Sequence, residues 1–373
     1  MMTFSPGTPP QPVRLENGAY VNHTLDFTQI EAVGFDLDHT LAVYREHSVN
    51  SAAFSETCRR LVDHRGYPAP VADLLYDSSD AARGLFADTR HGNLVKLGAG
   101  DQVCRARRGS VYLEPAYIKE TYGDDPFHGL AGGNYQVHCP FDRPTAALWG
   151  TLSAALTNTA DFDRVLCDVV ETLDEAHRFG DLKHRILSRP ESFVERPAEL
   201  PGMLARLRKA GKKLFLLTNS GHDYADALMN YLFPAGRGSA WADLFDDVIV
   251  DAGKPDFFSD SAGAAALEER IGVSGASVLY IGDNPRADAR PSRDRGWRTA
   301  LIVPELDDDS ERPDLPCPEE TAGEGWGRIF RDEHAPTRFA RTVTETADVF
   351  AARVEQIVSG GPGAVLPGAG SSF

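Results

Sequence analysis

Short apolar runs that end in polar residues recur along the chain and alternate with stretches of helical periodicity. The run 31–38 (EAVGFDLD) changes from apolar residues to carboxylates at its end, which is typical of a buried parallel strand. The run 213–220 (KLFLLTNS) has the same form and follows a helical stretch that starts at Pro201 and stops at Gly211. These patterns predict strands that are joined by helices.

Three further runs complete the predicted sheet. Strands are expected at 248–251, at 277–283 after the helical stretch AAALEERIG, and at 296–304. Strands that alternate with helices and end in polar residues indicate an α/β fold with a doubly wound, mostly parallel sheet. Such sheets bind ligands at the carboxyl ends of their strands.

The distance along the chain between the first two strands predicts a second domain. About 180 residues separate the two strand ends, which is too many for one crossover connection. We therefore expect an inserted, largely helical cap domain at 106–195, between two parts of a catalytic core, 1–105 and 196–373. The segment 83–104 is expected to form hairpin-like strands at the base of the cap, and the Gly-rich segment 359–373 is expected to fray.

Composition narrows the class of protein. The 373 residues are 42% hydrophobic and 25% charged, which is typical of a globular protein with a core. A net charge of -17 disfavours a nucleic-acid polymer as partner. The five cysteines form no CxxC pair, so reduced thiols are expected. Because the sequence has neither a signal-peptide pattern nor a long apolar run, we expect a cytoplasmic protein that does not enter membranes.

Carboxylates collect at the ends of the predicted strands. Asp36 and Asp38 follow the first strand, and the alternation of an extended chain lets both side chains point into one cleft. Asp283 and Asp288 follow the fourth strand. A hard divalent cation would offset the repulsion in such an oxygen-only pocket, so all four acids are candidate metal ligands and Mg²⁺ is the predicted cofactor.

The same strand ends carry the groups that phosphoryl transfer needs: a nucleophile, donors for the phosphoryl oxygens and a proton for the leaving group. Asp36 can act as the nucleophile through an aspartyl-phosphate, and Asp38 as the general acid and base. The candidate donors are Thr218, Asn219, Ser220 and Lys254. Each residue alone also fits a helix cap, a turn or a solvated surface. The joint order of DxDxT, TNS, K and GDxxxxD favours a phosphatase.

These four motifs resemble those of the haloacid dehalogenase superfamily, and the DxDxT form is similar to that of its phosphatase and phosphotransferase branch. By that resemblance Asp36 is the nucleophile and Asp38 the acid and base. Thr218 and Lys254 would hold the phosphoryl group. Magnesium would bind to Asp36, to the main-chain carbonyl of Asp38 and to Asp283.

A narrower resemblance, to the cytosolic purine 5'-nucleotidase family, covers nearly the whole chain. It rests on FDLDHTLAVY (35–44), RGLFADTRHGNLVK (83–96), LTNS (217–220), KPDFF (254–258), YIGDNPRAD (280–288), GWRTALIVPEL (296–306) and GRIFR (327–331). The stretch 338–354, which is expected to be helical, continues the likeness. The resemblance implies a phosphomonoesterase that hydrolyses nucleoside 5'-monophosphates to nucleoside and phosphate.

The resemblance also implies a base-binding site in the cap. In the family an aromatic ring and a histidine sandwich the base, with an aspartate and a lysine nearby. The matching residues are Phe141, His177, Asp174 and Lys183. Phe141 and His177 also fit ordinary core packing, and both alternatives stay open.

The chain departs from the family pattern at three positions. Val170 replaces an arginine that contacts the purine, and Arg178 replaces a tyrosine that follows the histidine. Weak discrimination between 6-oxo and 6-amino purines is therefore expected. Arg286 replaces an aromatic residue of the family's effector site, so allosteric activation by nucleotides is not expected.

Two alternatives to a nucleotidase stay open. A phosphatase or phosphotransferase for another small phosphate ester, such as a sugar phosphate or a specialised-metabolite intermediate, would use the same motifs, because these recognise only the phosphoryl group. A non-catalytic scaffold would be indicated by the loss of Asp36 or Asp38, and both are present. The expected partner is a small phosphate ester, and formation of a homo-oligomer is left open.

Overall fold

The computed structural model describes residues 11–130, 135–155, 160–179, 181–234, 241–259, 263–315, 325–332 and 335–369. Its strands are β1 Val13–Arg14, β2 Tyr20–Val21, β3 Leu25–Asp26, β4 Ala32–Phe35, β5 Val43–Tyr44, β6 Phe86–Asp88, β7 Asn93–Leu97, β8 Val103–Arg108, β9 Val111–Tyr112, β10 Val194–Glu195, β11 Lys213–Leu217, β12 Asp247–Ile249, β13 Val278–Gly282, β14 Arg298–Ile302, β15 Arg331–Asp332, β16 Ala335–Pro336, β17 Val349–Ala351 and β18 Val365–Leu366. Its α-helices are α1 Glu46–Arg65, α2 Pro115–Tyr122, α3 Arg143–Ser153, α4 Ala160–Phe179, α5 Asp181–Ser188, α6 Pro190–Phe193, α7 Leu200–Lys209, α8 His222–Leu232, α9 Asp256–Ser259, α10 Gly263–Ile271, α11 Arg290–Asp294, α12 Arg338–Thr346 and α13 Val354–Val358.

The contacts divide the chain into two compact units. Unit 1 comprises Met1–Val43, Arg196–Asp314 and Arg341–Phe373, and unit 2 comprises Tyr44–Glu195 and Leu315–Ala340. The chain therefore leaves unit 1 after Val43, returns to it at Arg196, and leaves it once more for Leu315–Ala340.

Unit 1 contains an eight-stranded sheet in the order β1-β2-β17-β14-β13-β4-β11-β12. The strands from β17 to β12 pair in parallel, whereas β2 and β1 are added antiparallel at one edge. This arrangement confirms the expected α/β fold with a mostly parallel sheet. Because β4 lies between β13 and β11, the residues that follow these three strands lie at one edge of the sheet.

Close packing fixes the central strands of unit 1. All residues of β4 and β13 are buried, as in a strand that is covered on both faces. A Cβ at Gly34 would lie 2.1 Å from the Phe215 ring, so the glycine lets this ring rest against β4. Phe215 also stacks on Tyr280 and meets Trp297 edge-on, with ring centroids 6.3 Å and 5.9 Å apart. These rings form part of the core around the candidate site.

Unit 2 combines helices with a small antiparallel sheet. Helices α1, α3 and α4 pack against one another around a core that includes Trp149, whose Nε1 donates to the Phe162 carbonyl at 3.2 Å. Strands β6 to β9 pair antiparallel in chain order. The buried Lys96 ammonium donates to the Trp326 carbonyl at 2.8 Å, which holds the segment 325–332 in this unit. None of the helices in the described ranges combines the length and the apolar composition that a membrane crossing needs.

Three expectations from the sequence differ from the structure. Unit 2 begins at Tyr44 and not at residue 106, because the strands expected at the base of the cap contact α3 of the same unit. The helix expected over 338–354 was wrong beyond Thr346, since β17 follows and pairs between β14 and β2. In the segment 359–373, which was expected to fray, β18 pairs with β3, and residues 370–373 lie outside the described ranges.

Candidate active site

The loops that follow β4, β11, β12 and β13 carry the predicted catalytic residues. Asp36 follows β4, and Thr218 follows β11. Lys254 lies in the turn after β12, and Asp283 comes directly after β13. Asp288 lies one helical turn further on, within Pro285–Ala289. The parallel pairing of these strands places all five residues at the carboxyl edge of the unit 1 sheet.

Three of the four predicted metal ligands form a buried carboxylate cluster. One oxygen each from Asp36, Asp283 and Asp288 lies within 4.8 Å of the other two. The residues are only 8%, 5% and 1% exposed. Three carboxylates around the Lys254 ammonium leave a negative charge, and their hard oxygen atoms are the ligands that a divalent cation such as Mg²⁺ prefers. The donor set therefore fits a divalent cation.

Lys254 links two of these carboxylates. Its Nζ lies 2.9 Å from Asp36 Oδ1 and donates to Asp288 Oδ1 at 2.7 Å. Although burial disfavours the charged ammonium, the Asp288 and Asp36 carboxylates hold the pKa of Lys254 well above its usual range. Lys254 is therefore a permanent positive charge beside Asp36.

The Asp36 carboxyl is strongly perturbed. Burial raises the pKa of Asp36 to about 7, the Lys254 ammonium opposes this rise, and the Asp288 and Asp38 carboxylates add to it. Burial therefore favours the protonated form of Asp36. A cation bound among the carboxylates would favour the ionised form of Asp36, which is the form that can attack phosphorus.

Gly282 leaves room for the Asp288 carboxyl group beside β13. A Cβ at Gly282 would lie 2.5 Å from the Asp288 carboxyl carbon, closer than such atoms approach. The Asn284 main-chain N–H donates to the other oxygen, Asp288 Oδ2, at 3.0 Å. Asp288 is thus held between a backbone donor and Lys254.

Tyr280 is a site residue that the sequence analysis missed. Lys254 Nζ donates to the Tyr280 hydroxyl at 3.0 Å, and this hydroxyl donates to the Leu217 carbonyl at 2.9 Å. The tyrosine therefore connects Lys254 to the end of β11. A tyrosine inside an otherwise apolar strand was the available signal, because a buried hydroxyl needs a hydrogen-bond partner.

The Asp38 side chain binds the Ser220 hydroxyl. It accepts a hydrogen bond from Ser220 Oγ at 2.7 Å and is not part of the carboxylate cluster found among the described residues. The Ser220 main-chain N–H donates to Thr218 Oγ1 at 3.1 Å. The Ser220 hydroxyl thus holds this carboxylate, and Asp38 stays a predicted metal ligand through its main-chain carbonyl.

The Asn219 side chain, a predicted donor to the phosphoryl group, binds the main chain of Lys254. Its Oδ1 accepts from the Lys254 N–H at 2.7 Å, and its Nδ2 donates to the Lys254 carbonyl at 3.0 Å. Because both ends of the amide bind the Lys254 main chain, Asn219 fixes the turn that carries the lysine.

The predicted base-binding residues all lie in unit 2. Phe141 lies in the helical turn Pro140–Asp142, Asp174 and His177 lie on α4, and Lys183 lies on α5. The Phe141 and His177 rings are 5.2 Å apart at 60°, and Phe141 also meets Tyr44 edge-on at 5.3 Å. Two rings that sandwich a base need roughly 7 Å between them, twice a van der Waals contact. In this arrangement the two rings contact each other, and a base between them would require them to separate.

Helix α4, which carries His177, also carries the charged residue Asp174. Burial raises the pKa of Asp174, the Arg178 guanidinium opposes the shift, and the Asp142 carboxylate adds to it. Asp174 and His177 are three residues apart, so both lie on one face of α4.

Comparison with known proteins agrees with this geometry. The model of the 5' nucleotidase family matches residues 19–265 and 261–314. A 5'-nucleotidase domain-containing protein of Dictyostelium discoideum is 29% identical over 331 residues, which cover 77% of this chain and 55% of the relative. The human 5'-nucleotidase domain-containing protein 2 is 27% identical, with 94% of this chain and 84% of the relative covered. The chain thus spans about half the length of the Dictyostelium relative.

Among solved structures, an archaeal beta-phosphoglucomutase from a Pyrococcus strain matches 73% of this chain and 86% of its own chain, at 11% identity and a TM-score of 0.39. The family model covers well over half of the chain and includes the four strand ends that carry Asp36, Thr218, Lys254 and Asp283. Its match agrees with the α/β core described above. The chain therefore belongs to the 5'-nucleotidase family.

Proposed function

We propose that this chain is a Mg²⁺-dependent phosphomonoesterase that hydrolyses nucleoside 5'-monophosphates. The observation that carries the proposal is the buried cluster of Asp36, Asp283 and Asp288 with Lys254, in a chain of the 5'-nucleotidase family. We propose a cytoplasmic location, because the sequence has neither a signal-peptide pattern nor a long apolar run.

Asp36 is the proposed nucleophile. One of its carboxylate oxygens attacks phosphorus in line with the ester bond, and an aspartyl-phosphate forms as the bond to the nucleoside oxygen breaks. Lys254, 2.9 Å from Asp36, holds the carboxylate and offers positive charge to the phosphoryl oxygens. Thr218 is the proposed hydroxyl donor to these oxygens, and the Asn219 main-chain N–H is a further proposed donor.

Asp38 is the proposed acid and base. It gives its proton to the leaving 5' oxygen, so that the nucleoside departs neutral. The resulting carboxylate then takes a proton from water, whose oxygen attacks the phosphorus of the aspartyl-phosphate. The bond from phosphorus to the Asp36 oxygen breaks, inorganic phosphate leaves and Asp38 is protonated again. The Ser220 hydroxyl, 2.7 Å from Asp38 Oδ2, orients the carboxyl for both transfers.

Asp36, Asp283, Asp288 and the Asp38 carbonyl are the proposed ligands of Mg²⁺. When bound, Mg²⁺ would neutralise the charge of the phosphoryl group and of the carboxylates. Burial and then the Asp288 and Asp38 carboxylates raise the pKa of Asp36, and a bound cation would favour its ionised form.

Phe141, Asp174, His177 and Lys183 are the proposed contacts to the nucleotide, the two rings to the base and the lysine to the phosphate. Because the Phe141 and His177 rings contact each other, they would bind a base as a pair. They would either separate to admit the base between them or stack on it from one side. Val170 and Arg178, in place of the family's arginine and tyrosine, favour weak discrimination between purines.

A panel of substrates tests the proposal. Phosphate release would be measured for nucleoside 5'-monophosphates, sugar phosphates and p-nitrophenyl phosphate, in Mg²⁺ and in EDTA, with Asp36→Asn as the blank. We expect the highest kcat/KM for a nucleoside monophosphate and no turnover in EDTA until Mg²⁺ is added. A preference for sugar phosphates would replace the nucleotidase by the alternative phosphatase, and transfer to an added nucleoside would identify a phosphotransferase.

A further inference from the structure

A second group of metal-ligating side chains lies in unit 2. Asp88 ends β6, His91 lies in the turn between β6 and β7, and His128 begins the helical turn His128–Leu130. One ligand atom from each of the three lies within 4.8 Å of the other two. We propose that Asp88, His91 and His128 bind Zn²⁺ through two imidazole nitrogens and one carboxylate oxygen.

Asp88 places a fully buried carboxylate beside the two histidines. Asp88 is 0% exposed. Its ion-pair partners among the described residues are the two histidines, with His91 Nδ1 2.7 Å from Oδ2 and His128 Nε2 3.4 Å from Oδ1. A buried carboxylate is costly unless a cation or hydrogen bonds compensate it. A divalent cation between Asp88 and the two imidazoles would add positive charge to the compensation that hydrogen bonds give this carboxylate.

Neutral donors hold the Asp88 carboxylate in a fixed orientation. The Tyr122 hydroxyl donates to Oδ2 at 2.7 Å, and Asn93 Nδ2 donates to the same hydroxyl at 2.9 Å. The Arg90 main-chain N–H donates to Oδ1 at 3.1 Å. Outer hydrogen bonds of this kind orient the ligands of metal sites.

The backbone around the ligands is also fixed. The Gly92 N–H donates to the Asp88 carbonyl at 2.8 Å and closes the turn that carries His91. Phe127, next to His128, donates its N–H to the Asp101 carbonyl at 2.9 Å and packs its ring against Phe86, with centroids 5.9 Å apart. Bound Zn²⁺ would therefore join two anchored turns of the same unit.

One of the ligand separations already suits a tetrahedral site. Ligands about 2.0–2.1 Å from a zinc ion are about 3.3 Å apart, close to the 3.4 Å between His128 Nε2 and Asp88 Oδ1. His91 Nδ1 contacts the other oxygen, Oδ2, at 2.7 Å, and its imidazole would move away from that oxygen as the proton between them is released to solvent. The two imidazole side chains are 30% and 32% exposed, so they can adjust and leave the fourth position to water.

The donor types separate this site from the carboxylate cluster of unit 1. Two imidazoles with one carboxylate favour a borderline ion such as Zn²⁺, whereas the oxygen-only set of Asp36, Asp283 and Asp288 favours Mg²⁺. Excess Mg²⁺ should therefore occupy the carboxylate cluster and leave the histidine site to Zn²⁺.

The test measures Zn²⁺ binding in excess Mg²⁺. The whole chain would be stripped with EDTA, exchanged into Mg²⁺ buffer and titrated with Zn²⁺ against a chromophoric chelator, with the bound metal counted after desalting. The variants are His91→Ala and His128→Ala. The matched control is His64→Ala, an exposed histidine at the end of α1. Asp283→Asn tests whether the carboxylate cluster contributes.

We expect one tightly bound Zn²⁺ in the wild type, in His64→Ala and in Asp283→Asn. Binding should weaken by about 10- to 100-fold or more in His91→Ala and in His128→Ala. Zn²⁺ should also raise the melting temperature of the wild type but not that of His128→Ala. Absence of bound Zn²⁺ in the wild type, or equal binding by all variants, would overturn the proposal and leave a hydrogen-bond network around Asp88.

Discussion

At the scale of single residues, Gly282 controls the position of Asp288. Gly282→Ala would place a methyl group 2.5 Å from the Asp288 carboxyl carbon and push this side chain away from Lys254. We expect a large loss of phosphatase activity and of Mg²⁺ affinity, with a stability cost of roughly 1–3 kcal/mol from overpacking. Steady-state kinetics over a range of Mg²⁺ concentrations and thermal unfolding measure both effects.

Gly202→Ala is the matched control, because this glycine lies within α7 with its nearest other side chain 3.8 Å away. It should leave activity unchanged and stabilise the chain slightly, since alanine is the better helix former. If Gly282→Ala kept normal activity, the position of Asp288 would not matter for turnover.

The proposed acid and base role of Asp38 predicts a defect that depends on the leaving group. Asp38→Asn should lower kcat/KM, which reports the steps up to cleavage of the ester bond, by about 10²-fold or more for a nucleoside monophosphate, and less for p-nitrophenyl phosphate, whose leaving group needs no proton. Ser220→Ala keeps the carboxylate and removes one hydrogen bond, so its loss should be about 10-fold or less. Equal defects of Asp38→Asn in kcat/KM for both substrates would exclude Asp38 as the general acid.

The sequence allowed the acids to be predicted but not the partners of their neighbours. Asp36 and Asp283 directly follow apolar strands, which is a local pattern. The binding of Asn219 to the Lys254 main chain joins residues 35 positions apart and depends on the pairing of β11 with β12. Such a contact becomes visible only when the strands are placed side by side.

At the scale of elements, the helical turn that carries Phe141 and the helix α4 that carries His177 meet through their rings. If this pair stacks on a base, Phe141→Ala should lower kcat/KM for a nucleoside monophosphate by about 10- to 100-fold, since stacking is worth roughly 1–3 kcal/mol per base. Hydrolysis of p-nitrophenyl phosphate, which has no base, is the control and should hardly change. Equal loss on both substrates would identify Phe141 as a core residue.

Helix α4 also carries the position that is expected to weaken discrimination between purines. With Val170 on α4 in place of an arginine donor, adenosine and inosine monophosphates should have similar kcat/KM values. A strong preference for inosine or guanosine monophosphate would show that Arg178 or another donor replaces the missing contact.

The central strands were predictable because each combines an apolar run with a polar end, and β4, β11, β12, β13 and β14 all lie within a few residues of the expected positions. The three-residue strand β17 was not, since a short segment inside a helical pattern becomes a strand only through its partners β14 and β2. The start of unit 2 at Tyr44 was missed for a similar reason, because contacts of β6 to β8 with α3 leave no local pattern.

At the scale of the whole molecule, the buried carboxylates link stability to pH and to metal. The pKa of Asp36 is about 7 in the folded chain and near 3.8 in the unfolded chain, so the folded state holds the proton more tightly. Between these values the unfolded state binds fewer protons, and the free energy of unfolding of the metal-free protein falls as pH rises. Over this pH range the raised pKa of Asp36 lowers the free energy of unfolding by on the order of 4 kcal/mol.

Thermal unfolding at pH 5.5 and pH 8, with EDTA and with Mg²⁺, measures this linkage. We expect Mg²⁺ to raise the melting temperature more at pH 8, where more of Asp36 is ionised, with a gain of about 2.7 kcal/mol at 100 times the dissociation constant. Asp36→Asn should weaken both the fall with pH and the response to Mg²⁺. A Mg²⁺ effect that is the same at both pH values would contradict the role of Asp36 as a ligand.

The central claim is that Asp36 forms a covalent bond to the phosphoryl group of the substrate. The direct measurement is mass spectrometry of peptides from enzyme that is acid-quenched during turnover of a nucleoside monophosphate in Mg²⁺. The account predicts the mass of one added phosphoryl group on the peptide that contains Asp36. The amount of this modified peptide should increase in Asp38→Asn if hydrolysis of the intermediate slows more than its formation. The modification should be absent in Asp36→Asn and in EDTA. Turnover by Asp36→Asn at a normal rate, or a phosphoryl group found on another residue, would contradict it.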